Sequence, residues 1–210
     1  MLADRELLLT LHGLRLVGFA GVEVVADRAG LAVDVTAATL SGAADRGWVA
    51  FRSGRMTGWS LTVTGRAHGQ SLLVEEARHQ GAVDEITAVY QRFSVLNPRF
   101  LVLCTEWQLR PDPTGERVLN QHSDPGYDAS VLGRLAELHA ETAPLADRLG
   151  ALLDRFTRYR GRLDHAHDRV QTGELDWFVR PVIDSYHTVW FELHEDLLAT
   201  LGLERVDERR

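Results

Sequence analysis

Arg46-Gly47-Trp48-Val49-Ala50-Phe51-Arg52-Ser53-Gly54-Arg55-Met56-Thr57-Gly58-Trp59-Ser60-Leu61-Thr62 is the stretch on which the reading of the fold turns. Residues 48–51 and 58–62 are rich in aromatic and β-branched side chains, and residues 52–57 are turn formers. That pattern predicts a β-hairpin with Arg52 and Arg55 at its tip. Just before it, residues 33–46 read as a helix with Val35, Thr39 or Leu40, and Ala43 inward and Asp34 as the N-cap. Further back, residues 22–29 form a shorter helix closed by Gly30, and residues 5–17 form another carrying Leu7, Leu8, Leu11, Leu14 and Leu16.

A helix that feeds a hairpin tipped with two guanidinium groups is suited to a duplex. The helix enters the major groove and the arginines meet phosphates or the minor groove. The outward positions of the 33–46 helix, Thr36, Ala37, Ala38, Ser41, Gly42 and Asp45, include no Arg or Lys. Base readout is then either poor or carried by Thr36 and Ser41 together with Arg46, while Arg52 and Arg55 meet phosphates or the minor groove. The competing reading is a degenerate unit of the same shape used for packing or docking.

Charge sharpens this division. The 210-residue chain has a formal net charge of -7, which argues against a surface coated for nonspecific nucleic-acid binding. Residues 1–73 hold seven Arg against six acids, whereas the rest holds sixteen Arg against twenty-four acids, and Lys is absent. Cys104 is the only cysteine, which excludes an internal disulfide and a cysteine-built zinc site and fits a reducing compartment. No apolar stretch is long enough to span a bilayer, and the acidic start, Asp4-Arg5-Glu6, is unlike a signal peptide. The expectation is a cytoplasmic protein without a membrane partner.

The order of these elements, with Val22-Glu23-Val24-Val25-Ala26-Asp27-Arg28-Ala29-Gly30-Leu31 and the closing Leu61-Thr62-Val63-Thr64-Gly65-Arg66, resembles the winged-helix domain of MarR-type bacterial repressors. In that family a Leu-Thr step, two residues and Gly-Arg close the wing and open the next helix, and Leu61, Thr62, Gly65 and Arg66 match it. The resemblance covers about the first third of the chain. It implies a bacterial transcription regulator that binds double-stranded DNA as a homodimer, with two recognition helices about one turn of duplex apart.

Beyond the hairpin, Thr62 or Thr64 caps a helix reaching about His79, and Gly81 breaks the chain. Residues 84–96 and 98–109 read as two helices separated at Asn97-Pro98, the second apolar nearly all round. Residues 111–126 form a loop ending in the polar cluster Asn120-Gln121-His122-Ser123-Asp124. Residues 127–141 and 145–159 are helical, with Thr142-Ala143-Pro144 bending or restarting the helix between them, and their stripe Leu132, Leu135, Leu138, Leu145, Leu149, Leu152 and Phe156 suits a bundle or a dimer seam. Residues 161–170 and 182–201 give two more helices, and the tail 206–210 is expected to fray.

Two constellations in this part invite chemistry. Trp107, Tyr186, His187 and Trp190 offer large rings with polar edges, and Glu106, Arg110 and His122 are able to orient a ligand, so a small-molecule effector pocket is expected; core packing explains the rings equally well. Asp184, His187, His194 and His122 are ligand types for zinc or iron, but seven helical residues separate His187 from His194 by about 10 Å, and no metal or other cofactor is assigned. His165 and His167 alternate with acids and read as a solvated face, and Cys104 reads as core. With no Gly-rich phosphate loop and no Gly-x-Ser-x-Gly elbow, no catalytic residue is assigned and the chain is not read as an enzyme. The alternative kept beside this is a metal-dependent enzyme or sensor, or a protein adaptor, built on the helical part. The fold expected is mainly α: a winged helix-turn-helix of three helices and a β-hairpin wing over residues 1–73, then an α-helical bundle over 74–210 for dimerisation and ligand sensing.

Overall fold

A computed structural model describes residues 2–112 and 114–203, with side chains from residue 5; Pro113 of the expected loop and the tail 206–210 lie outside the described residues. The protein is mainly helical. Its contacts define two compact units, one of Met1–Gly81 with Glu195–Arg210, the other of Ala82–His194. The expected boundary at Leu73 falls inside a helix, and the C-terminal residues from Glu195 belong with the N-terminal unit.

In the first unit, α1 (Leu2–Val17) packs on α2 (Val22–Ala29), α3 (Val33–Asp45) and α4 (Val63–His79). Leu11, Leu14, Val25, Leu40, Ala43 and Val49 form its core. Gly30 ends α2 with φ 68°, and the following amide of Leu31 donates to Ala26 O at 3.0 Å, a turn that a glycine makes without steric cost. Strands β2 (Val49–Arg52) and β3 (Gly58–Leu61) pair antiparallel with Phe51 opposite Trp59. A two-residue strand, β1 (Phe19–Ala20), adds to the free edge of β3, giving the order β1-β3-β2. Leu8, Leu73 and Ala199 form a second apolar cluster, which ties the end of the chain to α1 and α4. Beside it His12 Nε2 and Asp196 Oδ2 lie 2.9 Å apart, both side chains buried.

The second unit is built on two long helices, α5 (Val83–Gln108) and α6 (Pro125–Leu152), with α6 packed against both α5 and α7 (Thr157–Gln171). The break expected at Pro98 is absent, and the helix does not restart at Pro144: both prolines sit inside continuous helices. Each removes one backbone donor, yet buried Phe93, Leu96, Phe100 and Leu103 keep one face of α5 in register across Pro98. Of the leucine stripe on α6, Leu135, Leu138, Leu145 and Leu149 are buried within this unit, so they serve its own core. The expected loop holds a small ribbon, β4 (Leu109–Pro111) against β5 (Arg117–Leu119). A 3-10 turn (Asp154–Phe156), α8 (Asp176–Val179) and α9 (Tyr186–Leu201) follow in chain order. Residues of α9 up to His194 count with this unit. Among the described residues no helix is long and apolar enough to cross a membrane.

Candidate nucleic-acid interface

The outward surface of α3 and the hairpin after it are held by a junction whose parts are all local. Helix α3 starts from Ala32 with no side-chain cap, and Asp34, expected at the cap, lies in the first turn, where a carboxylate favours the helix dipole. At its end Gly47, with φ 71°, lets the Trp48 amide donate to Ala43 O at 2.9 Å. Thr62 then locks the other side. Its Oγ accepts the Gly65 amide at 3.0 Å, capping α4, and donates to Gly47 O at 2.7 Å. Thr64 Oγ1 donates to the same carbonyl at 3.1 Å. Gly65 is where α4 passes the Trp48 backbone, and a Cβ there would collide with the Trp48 carbonyl. The Leu61-Thr62-x-x-Gly65 spacing is thus a cap and a close approach, one residue type for each.

The DNA-contact candidates separate on this frame. Ser41 is exposed on α3, Arg46 is exposed at its C-terminal end, and Arg52 and Arg55 are exposed on the hairpin. Thr36 is corrected: it is fully buried, with Oγ1 donating to Ala32 O at 3.0 Å, so it faces the core and reads nothing. Arg46 has a support that the sequence did not announce. Its guanidinium lies 5.2 Å from the Trp48 ring centroid, and Trp48 stacks on His68 of α4 at 3.9 Å and 22°. The rest of the exposed face of α3 carries Val33, Ala37 and Ala38 together with the acidic Asp34 and Asp45, and the hairpin adds exposed Phe51 and Met56.

The seven ligand-pocket candidates all lie in the second unit, in different surroundings. Trp107, Tyr186 and Trp190 are buried. Phe100 lies 4.5 Å from Trp190 and 5.6 Å from Tyr186, while Phe178 lies 5.1 Å from Trp107, so the rings fill a core by packing on one another. Trp190 Nε1 donates to Asn97 Oδ1 at 2.9 Å, which settles its one polar atom. His187 is half-buried near Phe100 and Phe191, and burial lowers its pKa. The remaining three have polar partners: Glu106 pairs with Arg134 at 2.5 Å, Arg110 pairs with Asp124 at 3.6 Å, and His122 Nδ1 lies within hydrogen-bond distance of Asp128 Oδ2 at 3.1 Å. Two grooves do run along α5 and α6, one of about 600 Å³ near Val89 and Leu145 and one of about 330 Å³ near Val102 and Leu138, lined by other residues.

The four residues weighed as metal ligands have separate partners. Asp184 accepts from Arg162 at 2.9 Å, His122 is held by Asp128, His187 packs near Phe191 and His194 packs 5.3 Å from Phe93. Among the described residues no group of three or more His, Cys, Asp or Glu is arranged to hold a metal ion. His167, expected on a solvated face, instead stacks on His139 at 4.2 Å and 6°. No family model, curated protein or solved structure matches the chain.

Proposed function

We propose that the protein is a bacterial transcription regulator whose first unit is a MarR-like winged helix reading double-stranded DNA, and whose helical second unit serves dimerisation and ligand sensing in the cytoplasm. One observation carries the reading: a two-helix turn at Gly30 leads into α3, whose exposed face is followed at once by a hairpin with Arg52 and Arg55 in solvent. Affinity in this reading comes from arginine–phosphate contacts at the hairpin, and base preference from Ser41 with Arg46 braced on Trp48. With exposed Asp34 and Asp45 and no basic side chain on α3 itself, attraction to the duplex falls to the hairpin arginines and Arg46, and the helix contributes shape and van der Waals fit more than bidentate base contacts. The test is a mobility shift of duplex fragments from the protein's own promoter at low salt. A saturable shift that weakens as salt rises is expected, and absence of any duplex binding under those conditions sinks the proposal.

A second reading rests on exposed Val33, Phe51 and Met56 around the same face. Apolar side chains there suit a protein partner, with the unit acting as a docking module. Under it, Phe51→Ser abolishes partner binding while DNA binding is never observed.

A further inference from the structure

Helix α3 exposes Asp34 and Asp45 and carries no basic side chain, so it is poorly equipped to read base edges. The hairpin is equipped differently. Phe51 and Met56 are 53% and 68% exposed, and Arg52 and Arg55, their neighbours in the chain, are exposed too. Neither of these arginines has an ion-pair partner among the described residues, whereas Arg99, Arg134 and Arg148 of the second unit each pair with a glutamate. Two apolar side chains in water beside two unneutralised cations fit a surface that is anionic and also takes up apolar groups.

The apolar side chains are also well supported. Phe51 stands opposite Trp59 in the β2–β3 register with the two rings 4.9 Å apart, and Trp59 packs on the core that holds Leu11 and Val49. Met56 lies in the connection between the strands, and its unbranched thioether adapts to the shape it meets. A duplex minor groove offers phosphates along its rims and, between base pairs, flat apolar faces that Phe and Met side chains are able to part. A membrane fits less well, since two cations and two apolar side chains are too few for an anchor. We propose that the hairpin is a wedge: Met56 enters the minor groove and parts one base step, Phe51 packs on the groove wall, and Arg52 and Arg55 take the flanking phosphates. Sequence preference then comes from how readily that step opens, and the pyrimidine–purine steps TA and CA/TG open most readily. The wedge rests on the duplex binding proposed above, and its test separates the two.

The test probes the full chain on a duplex from its own promoter at low salt, by mobility shift and by permanganate, which oxidises thymines that have lost their stacking. Bound wild type is expected to raise thymine reactivity about fivefold at one TA or CA/TG step. Met56→Ser, an exposed change outside the strands, is expected to keep the melting temperature, to bind within about threefold of wild type and to lose most of that reactivity. Replacing a reactive TA step by the stiffer AA is expected to weaken wild type severalfold and Met56→Ser hardly at all. Duplex binding without a reactive thymine, or reactivity unchanged in Met56→Ser, overturns the wedge and leaves duplex binding standing. No duplex binding by wild type, with or without capture on phosphatidylserine vesicles, overturns both.

Discussion

The carbonyl of Trp48 faces the α-carbon of Gly65 so closely that no side chain fits between the end of α3 and the start of α4. The obstructing atoms are Trp48 backbone, so relief requires moving the α3–β2 junction and no rotamer change suffices. Gly65→Ala is therefore expected to destabilise the protein by about 3 kcal/mol, as overpacking against backbone does. Thr62→Ala, which deletes the α4 cap, is expected to cost about 1 kcal/mol. Urea midpoints followed by circular dichroism check both, and a wild-type midpoint for Gly65→Ala contradicts the geometry.

Arg52 and Arg55 are exposed at the tip of the hairpin, where they make backbone contacts in the proposed complex. Arg55→Ala is expected to weaken binding to all duplex sequences alike and to lower the slope of log affinity against log salt by about one. Fluorescence anisotropy on two unrelated duplexes at several salt concentrations measures this. A change confined to one sequence assigns Arg55 to base readout instead.

The His139–His167 stack predicts a pH dependence of stability. His139 Nε2 lies 3.2 Å from Asp164 and Nδ1 lies 3.3 Å from the Tyr186 hydroxyl, with Arg160 and Asp168 also acting on it from α7. Burial, followed by the charge of His167, holds its pKa below the ordinary imidazole value, and Asp164 opposes them only in part. The unfolded chain then takes up this proton at a higher pH than the folded one. The contribution of His139 is complete above the ordinary imidazole pKa of about 6.5 and is lost as pH falls through the lowered folded value. His187, lowered by burial, acts with the same sign. Thermal unfolding between pH 7.5 and 5 is expected to show a declining melting temperature, with a shallower decline in His139→Phe. An equal slope in that variant refutes the assignment.

Cys104 is buried in α5, and burial pushes its thiol pKa up to about 12. The thiolate is the reactive form, so a thiol reagent at pH 8 is expected to leave the native protein unlabelled and to label one site in urea. Rapid labelling of the native protein counts against this burial.

Much of the first unit was legible because its signals are local. Gly30 marks the end of α2, and turn residues between two β-rich runs mark the hairpin; the observed α2 and hairpin follow these signals closely. The Phe19–Ala20 strand is too short to show alternation, and only its pairing to β3 reveals it. The inward turn of Thr36 escaped because a threonine that bonds its own helix at Ala32 is satisfied without solvent, so its polarity misleads. In the second unit Asn97-Pro98 looked like a break, since a proline's lost donor is visible in sequence and the burial that outweighs it is not. The ring contacts of Trp48, at the α3–β2 junction, with His68 of α4 and of His139 of α6 with His167 of α7 join residues far apart in the chain, and no spacing encodes them.

The cluster of Leu8, Leu73 and Ala199, with Asp196 set against His12, bears on how the protein is born. On the ribosome, α1 and α4 emerge long before their last covering residues are synthesised. A nascent chain therefore carries an open apolar seam until Ala199 has been made, and one cut short before Asp196 keeps it open, a ready substrate for chaperones and proteases.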